Sequence, residues 1–249
     1  MIYAVQNSSY LMTGYQCILD PSANELASWE SFKITSDASS AIFTATHLRQ
    51  NVTTWPIGQR KVTFDPRKVS RNDTSADRWL DALWLALTCR DAQKISTLCS
   101  IPTERLRECR ETALGEYFFS WVDAMKSYLR RDEDFLRILA TAMEATDPDL
   151  LIDTETAEHA LKIAYPNMNL LYQLATREVD TFNSAFLDAV KLHKSFWSAD
   201  TELKTSPYGF TARAPLAYAS MAYDAGMGTT SIPTYVPERL VTGHWINAV

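Results

Sequence analysis

Apolar residues return along this chain at intervals of three and four, the spacing that lines side chains up on one face of an α-helix. Over residues 74–90, Trp79, Leu80, Leu83, Trp84 and Leu87 share a face, with Asp73 or Ser75 placed to cap the start and Asp77 in the first turn. This is the clearest amphipathic helix of the chain. A shorter helix is predicted from about residue 95 to 100, and Pro102 suits the first position of a longer one carrying Leu106, Cys109, Ala113, Tyr117, Trp121 and Met125. Residues 132–145 read as the next helix, with Phe135, Leu136, Leu139 and Met143 inward and a stop at Asp147-Pro148. A short helix capped by Thr154 or Thr156 should end at Pro166, and another follows through Leu170, Leu171 and Leu174. Val179, Phe182, Phe186, Val190 and His193 then predict a long helix over 177–197. A polar loop (198–209), an alanine-rich helix (214–225) closed by Gly226 and a short helix beginning at Pro237 complete the pattern.

The first seventy residues are less regular. Leu26, Trp29, Phe32, Ile42, Phe43 and Leu48 supply one or two helices between residues 22 and 50, broken near 35–40 where serine and threonine crowd together. Residues 51–70 look loop-like, with a short edge strand at 61–64 as the most that is expected, and the scarcity of turn residues argues against hairpins. The fold class that results is all-α: one compact multi-helix domain over residues 1–249, made of an irregular 1–70 part and a helical core over 71–249. Paired helices hint at a solenoid, yet no fixed repeat period is present.

Composition agrees, since 7 glycines and 10 prolines leave long stretches of good helix formers uninterrupted, and 46% apolar residues suffice for a sizeable core. No apolar run approaches the roughly 20 residues that span a bilayer, and the N-terminus lacks the basic start and apolar centre of a signal peptide. A cytoplasmic location is the expectation. Cys17, Cys89, Cys99 and Cys109 lack the close pairing of zinc ligands and read as small buried hydrophobes. The formal net charge of −6 argues against direct nucleic-acid binding and suits a basic protein partner.

Catalytic motifs are not found: the chain has no glycine-rich phosphate loop, no Gly-x-Ser-x-Gly and no His-Glu-x-x-His, and His47, His159, His193 and His244 are scattered. Asp132, Glu133 and Asp134 are consecutive and cannot share a helix face as metal ligands would; they suit the positive end of a helix. No cofactor or metal is expected. Three sequons at Asn7, Asn51 and Asn72 are chance in a Ser/Thr-rich chain.

Several segments in order carry a resemblance. These are Trp79-Leu-Asp-Ala-Leu-Trp-Leu-Ala-Leu87 with Cys89-Arg90-Asp91, Ala142-Met-Glu-Ala-Thr-Asp-Pro148, Phe182-Asn183, His193-Lys194 with Trp197, Tyr208-Gly209, Ala222 to Gly226, and Tyr235-Val-Pro237. Over roughly residues 70–243 they resemble the immunity protein 49 family, the antidotes of bacterial polymorphic toxins. Thr234 departs from the acidic residue or serine that often precedes the tyrosine of the Tyr-x-Pro element.

The resemblance implies an all-α cytoplasmic protein that neutralises a cognate toxin, with nucleases among the plausible partners, by stoichiometric binding. His193, Lys194, Trp197, Tyr208 and Tyr235 would then lie near one surface, with Trp79, Arg90, Asp91, Gly209 and Pro237 as further family positions. Trp197 and Tyr235 serve equally as packing residues, and Arg90-Asp91 suits internal pairing with a helix end or loop. For contact with a basic toxin the candidates are the exposed acids Asp132, Glu133, Asp134, Asp149, Asp153, Glu155 and Glu158, which read equally as solvated helix faces. A helical-repeat adaptor and an unrecognised helical enzyme are the other readings, the latter requiring a pocket with convergent polar groups.

Overall fold

The computed structural model describes residues 2–47, 51–108, 115–151, 153–229 and 231–246. Two long antiparallel helices open the chain, α1 (Ile2–Leu19) and α2 (Leu26–His47). α2 runs unbroken through residues 35–40, contrary to expectation; two of its hydroxyls, those of Thr35 and Ser39, are engaged by packing on α1. Thr35 pairs with Thr13 of α1 at 2.8 Å and bonds the Ser31 carbonyl, and Ser39 donates to the Tyr10 hydroxyl at 3.2 Å. Leu48 and Gln50 lie outside the described residues. Gly14 lets the chain approach closely, since a Cβ there would sit 2.2 Å from the Pro207 carbonyl oxygen.

A hairpin follows where only one strand was expected. β1 (Thr53–Ile57) pairs antiparallel with β2 (Arg60–Phe64), and Gly58 takes the left-handed conformation, φ 55°, that the two-residue turn demands. The Asp37 carboxylate of α2 accepts from the Gly58 N–H at 2.8 Å and ties the turn down. Ile57 and Phe64 close a small core over Ile2, Ala38 and Ile42.

The remaining elements are helical: α3 (Ala76–Thr88), α4 (Ala92–Cys99), α5 (Thr103–Arg107), α6 (Glu116–Arg130), α7 (Phe135–Glu144), α8 (Thr154–His159), α9 (Tyr165–Thr176), α10 (Val179–Trp197), α11 (Thr201–Thr205), α12 (Arg213–Asp224) and α13 (Glu238–Val241). Three differ from expectation. The single helix predicted from Pro102 is two, α5 ending at Arg107 and α6 starting after Gly115; Cys109 and Ala113 lie outside the described residues. The polar loop over 198–209 contains α11 and a 3-10 turn at Pro207–Gly209. Pro166 does not stop a helix: α8 and α9 join through a π-turn at Ala160–Ala164, where the Tyr165 N–H reaches back to the Ala160 carbonyl. The wider turn absorbs the missing proline donor, and the Asn167 side chain bonds the Ile163 carbonyl at 2.7 Å.

One contiguous core runs from Tyr10 on α1 to Val241 on α13 and centres on Trp79, Trp121, Tyr218, Phe182 and Phe186. Trp79 and Trp121 are buried because their N–H groups find acceptors, the Leu98 carbonyl at 3.0 Å and the Tyr218 hydroxyl at 3.4 Å. Cys17 and Cys99 pack as small hydrophobes, whereas Leu136 and Val179, expected inward, are exposed. Among the described residues no helix is long and apolar enough to cross a membrane.

Candidate functional site

α3, α6, α8 with its π-turn, α10, the Pro207–Gly209 turn and the start of α12 surround a cleft of about 490 Å³. One wall follows from helix geometry: Asp77, Asp81 and Trp84 lie four and three residues apart on α3 and share its edge beside the buried face. His159, Ile163 and Asn167 form a facing wall on the α8–α9 rod, and Tyr117, Phe118 and Trp121 of α6 make an aromatic floor. Phe196 and Trp197 close the side from α10. The rings pack on one another, Trp84 on Trp121 at 5.2 Å and Phe118 on His159 at 5.3 Å.

Most polar groups here hold each other. Arg213 forks onto Asp81, with Nε–Oδ1 at 3.0 Å and Nη2–Oδ2 at 3.3 Å, and its guanidinium lies 5.1 Å over Tyr10 and 5.8 Å over Tyr208. Arg78 covers the same Tyr208 ring at 5.6 Å, and Tyr208 donates to Asn7 of α1. Burial lowers the His159 and His193 pKa values to about 4. Both imidazoles are therefore neutral at pH 7. His193 Nε2 is 2.8 Å from the Gly209 carbonyl, which can only accept, so that nitrogen carries the proton. His159 Nδ1 is 2.9 Å from the Tyr117 hydroxyl, whose own pKa burial raises above its usual value; either group can donate, according to the imidazole tautomer. Asp77 accepts from Ser75, while Glu155 at the rim is exposed and makes no ion pair among the described residues.

The predicted residues divide between this cleft and the framework. His193, Trp197, Tyr208 and Glu155 line the cleft. Gly209 lies under Trp197, where a Cβ would meet the indole at 2.5 Å; Tyr235 stacks edge-on behind His193 at 5.7 Å; Pro237 is buried just before α13. Lys194 points to solvent. Trp79 is core. Arg90 and Asp91 take the internal role: Arg90 bonds the carbonyls of Thr88, Leu240 and Val241, and Asp91 caps α4 at the Lys94 N–H. Of the acids, Asp134 pairs with Arg137 at 3.0 Å, Asp153 caps α8, and half-buried Glu158 pairs with Lys162 at 2.6 Å. Asp132, Glu133 and Asp149 are exposed and lie outside the cleft lining. Sequence reasoning missed Arg78, Asp81, His159 and Arg213 as cleft residues. Asp81 carried a readable signal at the edge of α3, but nothing in the sequence joins it to Arg213.

Among the described residues no group of three or more His, Cys, Asp or Glu is arranged to hold a metal ion. The model of the family described as Immunity protein 49 matches residues 20–240. The chain belongs to the immunity protein 49 family. No curated protein and no solved structure matches it. The immunity protein 49 region includes α2 and the hairpin as well as the cleft, so the likeness reaches well before residue 70, where the sequence reading began it. α1 precedes the matched region.

Proposed function

We propose that this immunity protein 49 family member neutralises a cognate bacterial toxin in the cytoplasm by stoichiometric binding, and that the toxin seats on the cleft and the adjoining face of α8. The observation that carries this reading is the rim: Glu155, which makes no ion pair among the described residues, lines the same cleft as half-buried Phe196, Trp197 and Tyr208, whose walls are locked by the Asp81–Arg213 pair. Preformed aromatic pockets bordered by charge are where binding energy concentrates in protein interfaces, because little side-chain freedom is lost on docking. An acidic antidote with net charge −6 suits a basic toxin, as an enzyme that grips nucleic-acid phosphates would be. The proposed role needs no chemistry in the cleft: both histidines are neutral and engaged with Gly209 and Tyr117, and the half-buried carboxylate of Asp81 is paired with Arg213.

Glu155→Lys reverses the charge at the rim without touching a packed group. Its association rate with the toxin encoded by the neighbouring gene should fall roughly 10-fold at low salt, with the gap closing as salt rises. Stopped-flow mixing checks it; an unchanged rate at low salt places the toxin elsewhere.

A further inference from the structure

The 18 residues of α1 include no Asp, Glu, Lys or Arg. Its inner face buries Ile2, Gln6, Ser9, Tyr10, Thr13, Gly14 and Cys17. The opposite face carries Ala4, Ser8, Leu11, Tyr15 and Ile18 at alternating intervals of four and three, the 3.5-residue period of a helix seam that meets another helix. Met12 and Leu19 widen that stripe. Met12 and Ile18 are 54% exposed, Tyr15 53% and Leu19 80%. The open apolar area is on the order of 600 Å², at the upper end of what monomeric proteins leave uncovered.

We propose that this face is covered by α1 of a second copy of the chain, packed antiparallel across a two-fold axis. Self-complementarity argues for it. With the axis between Leu11 and Met12, residue pairs across the interface sum to 23, so Leu19 lies over Ala4, Tyr15 over Ser8, and Leu11 over Met12. Leu19 and Tyr15 each meet a small side chain, Leu11 packs on Met12 about the axis, and the Tyr15 hydroxyl comes within reach of Ser8. Two faces of this size bury about 1,200 Å², the lower bound of a standard interface. Charge selects the same partner. Two chains of net charge −6 repel each other except through a surface free of charge, which α1 supplies, whereas a basic toxin would be steered to acids that α1 lacks. A membrane surface is disfavoured by the missing lysine and arginine. The proposal is independent of where the toxin binds.

The test is the solution mass of the full chain by light scattering and sedimentation at micromolar concentration. The wild type should run at twice 28.2 kDa. Tyr15→Glu, at the centre of the stripe, should weaken self-association roughly 100-fold and give a monomer with unchanged helicity and unchanged toxin binding. Adding Ser8→Lys to Tyr15→Glu should restore the dimer, because each glutamate then faces a lysine of the partner. Leu19→Lys, on the most exposed position, supplies the same reading if Tyr15→Glu fails to fold. A wild type of 28.2 kDa at tens of micromolar, a variant that remains dimeric, or a double variant that stays monomeric overturns the proposal.

Discussion

Arg90→Ala should destabilise the protein by about 4 kcal/mol and lower its melting temperature by roughly 10 °C, the largest loss expected from any single charged residue. Arg90 stands just past the end of α3 with φ 53°, a left-handed conformation in which its side chain turns toward α13. From there Nη1 donates to the Thr88 carbonyl at 2.8 Å and the Leu240 carbonyl at 2.6 Å, and Nη2 donates to Val241 at 2.6 Å. Asp224 adds a 3.0 Å ion pair that is half exposed and contributes little. The cost lies in the carbonyls: alanine would leave that of Val241, buried at the edge of the core, without a donor among the described residues, and would leave Leu240 with only the Gly243 N–H at 3.2 Å. Lysine cannot replace the fork, so Arg90→Lys should recover only part of the loss. Arg90→Gly should cost about 1 kcal/mol less than alanine because it relieves the left-handed backbone. Calorimetry measures the first effect, and loss of amide protection confined to α13 would show that the segment unlatches before the rest unfolds.

The second large effect is acid lability between pH 6.5 and 4. Burial lowers the folded-state pKa of His193 and of His159 to about 4, against 6.5 for an unfolded histidine. Above pH 6.5 both states are neutral and the full stability is present. As pH falls from 6.5, the unfolded chain binds protons that the folded chain refuses, so stability is lost progressively and levels off below about 4. The expected loss is roughly 3 kcal/mol for His193 and less for His159, whose ring borders the open cleft. Denaturant midpoints taken from pH 7.5 to 4.5 should therefore decline. His193→Asn, which loses the titrating group, should start less stable but show a shallower decline; equal slopes in variant and wild type would contradict the burial argument.

Elements with strong helical periodicity were legible from the residues alone. α3, α10 and α12 lie close to their predicted positions because tryptophan, phenylalanine and alanine repeat at three and four, and because Gly226, φ 74°, ends α12 as a left-handed cap. The failures have physical causes of another kind. α2 contains a Ser/Thr run, and the α1 hydroxyls that engage its Thr35 and Ser39 come from a packing partner that the local sequence does not reveal. Pro166 read as a terminator because a proline clashes inside an α-helix, and the π-turn that removes the clash leaves no mark in the sequence. The hairpin hangs on Gly58 and on Asp37, twenty-one residues earlier.

The site was legible only in fragments. His193, Trp197 and Tyr208 were grouped through the family resemblance, and they do line one cleft. Its electrostatic centre was hidden, because Asp81 and Arg213 are 132 residues apart and no local pattern couples them. Glu155 is one exposed acid among the seven candidates; its place on the rim depends on the continuous α8–α9 rod, which the expected stop at Pro166 divides. Lys126 was unmarked as well: it is 4% exposed and donates to the Ile101 carbonyl at 2.6 Å, an arrangement that only the fold around it makes affordable to a cation.

Neutralisation by binding is tested most directly by growth of cells expressing a candidate toxin domain from an adjacent reading frame, with and without the full chain, coupled to isolation of the pair from the surviving cells. Rescue with a complex of fixed stoichiometry, in which the toxin remains chemically intact and regains activity once separated, is the predicted result. Rescue in which the toxin or its product is altered and no complex forms, or no rescue at all from a well-folded chain, would contradict it.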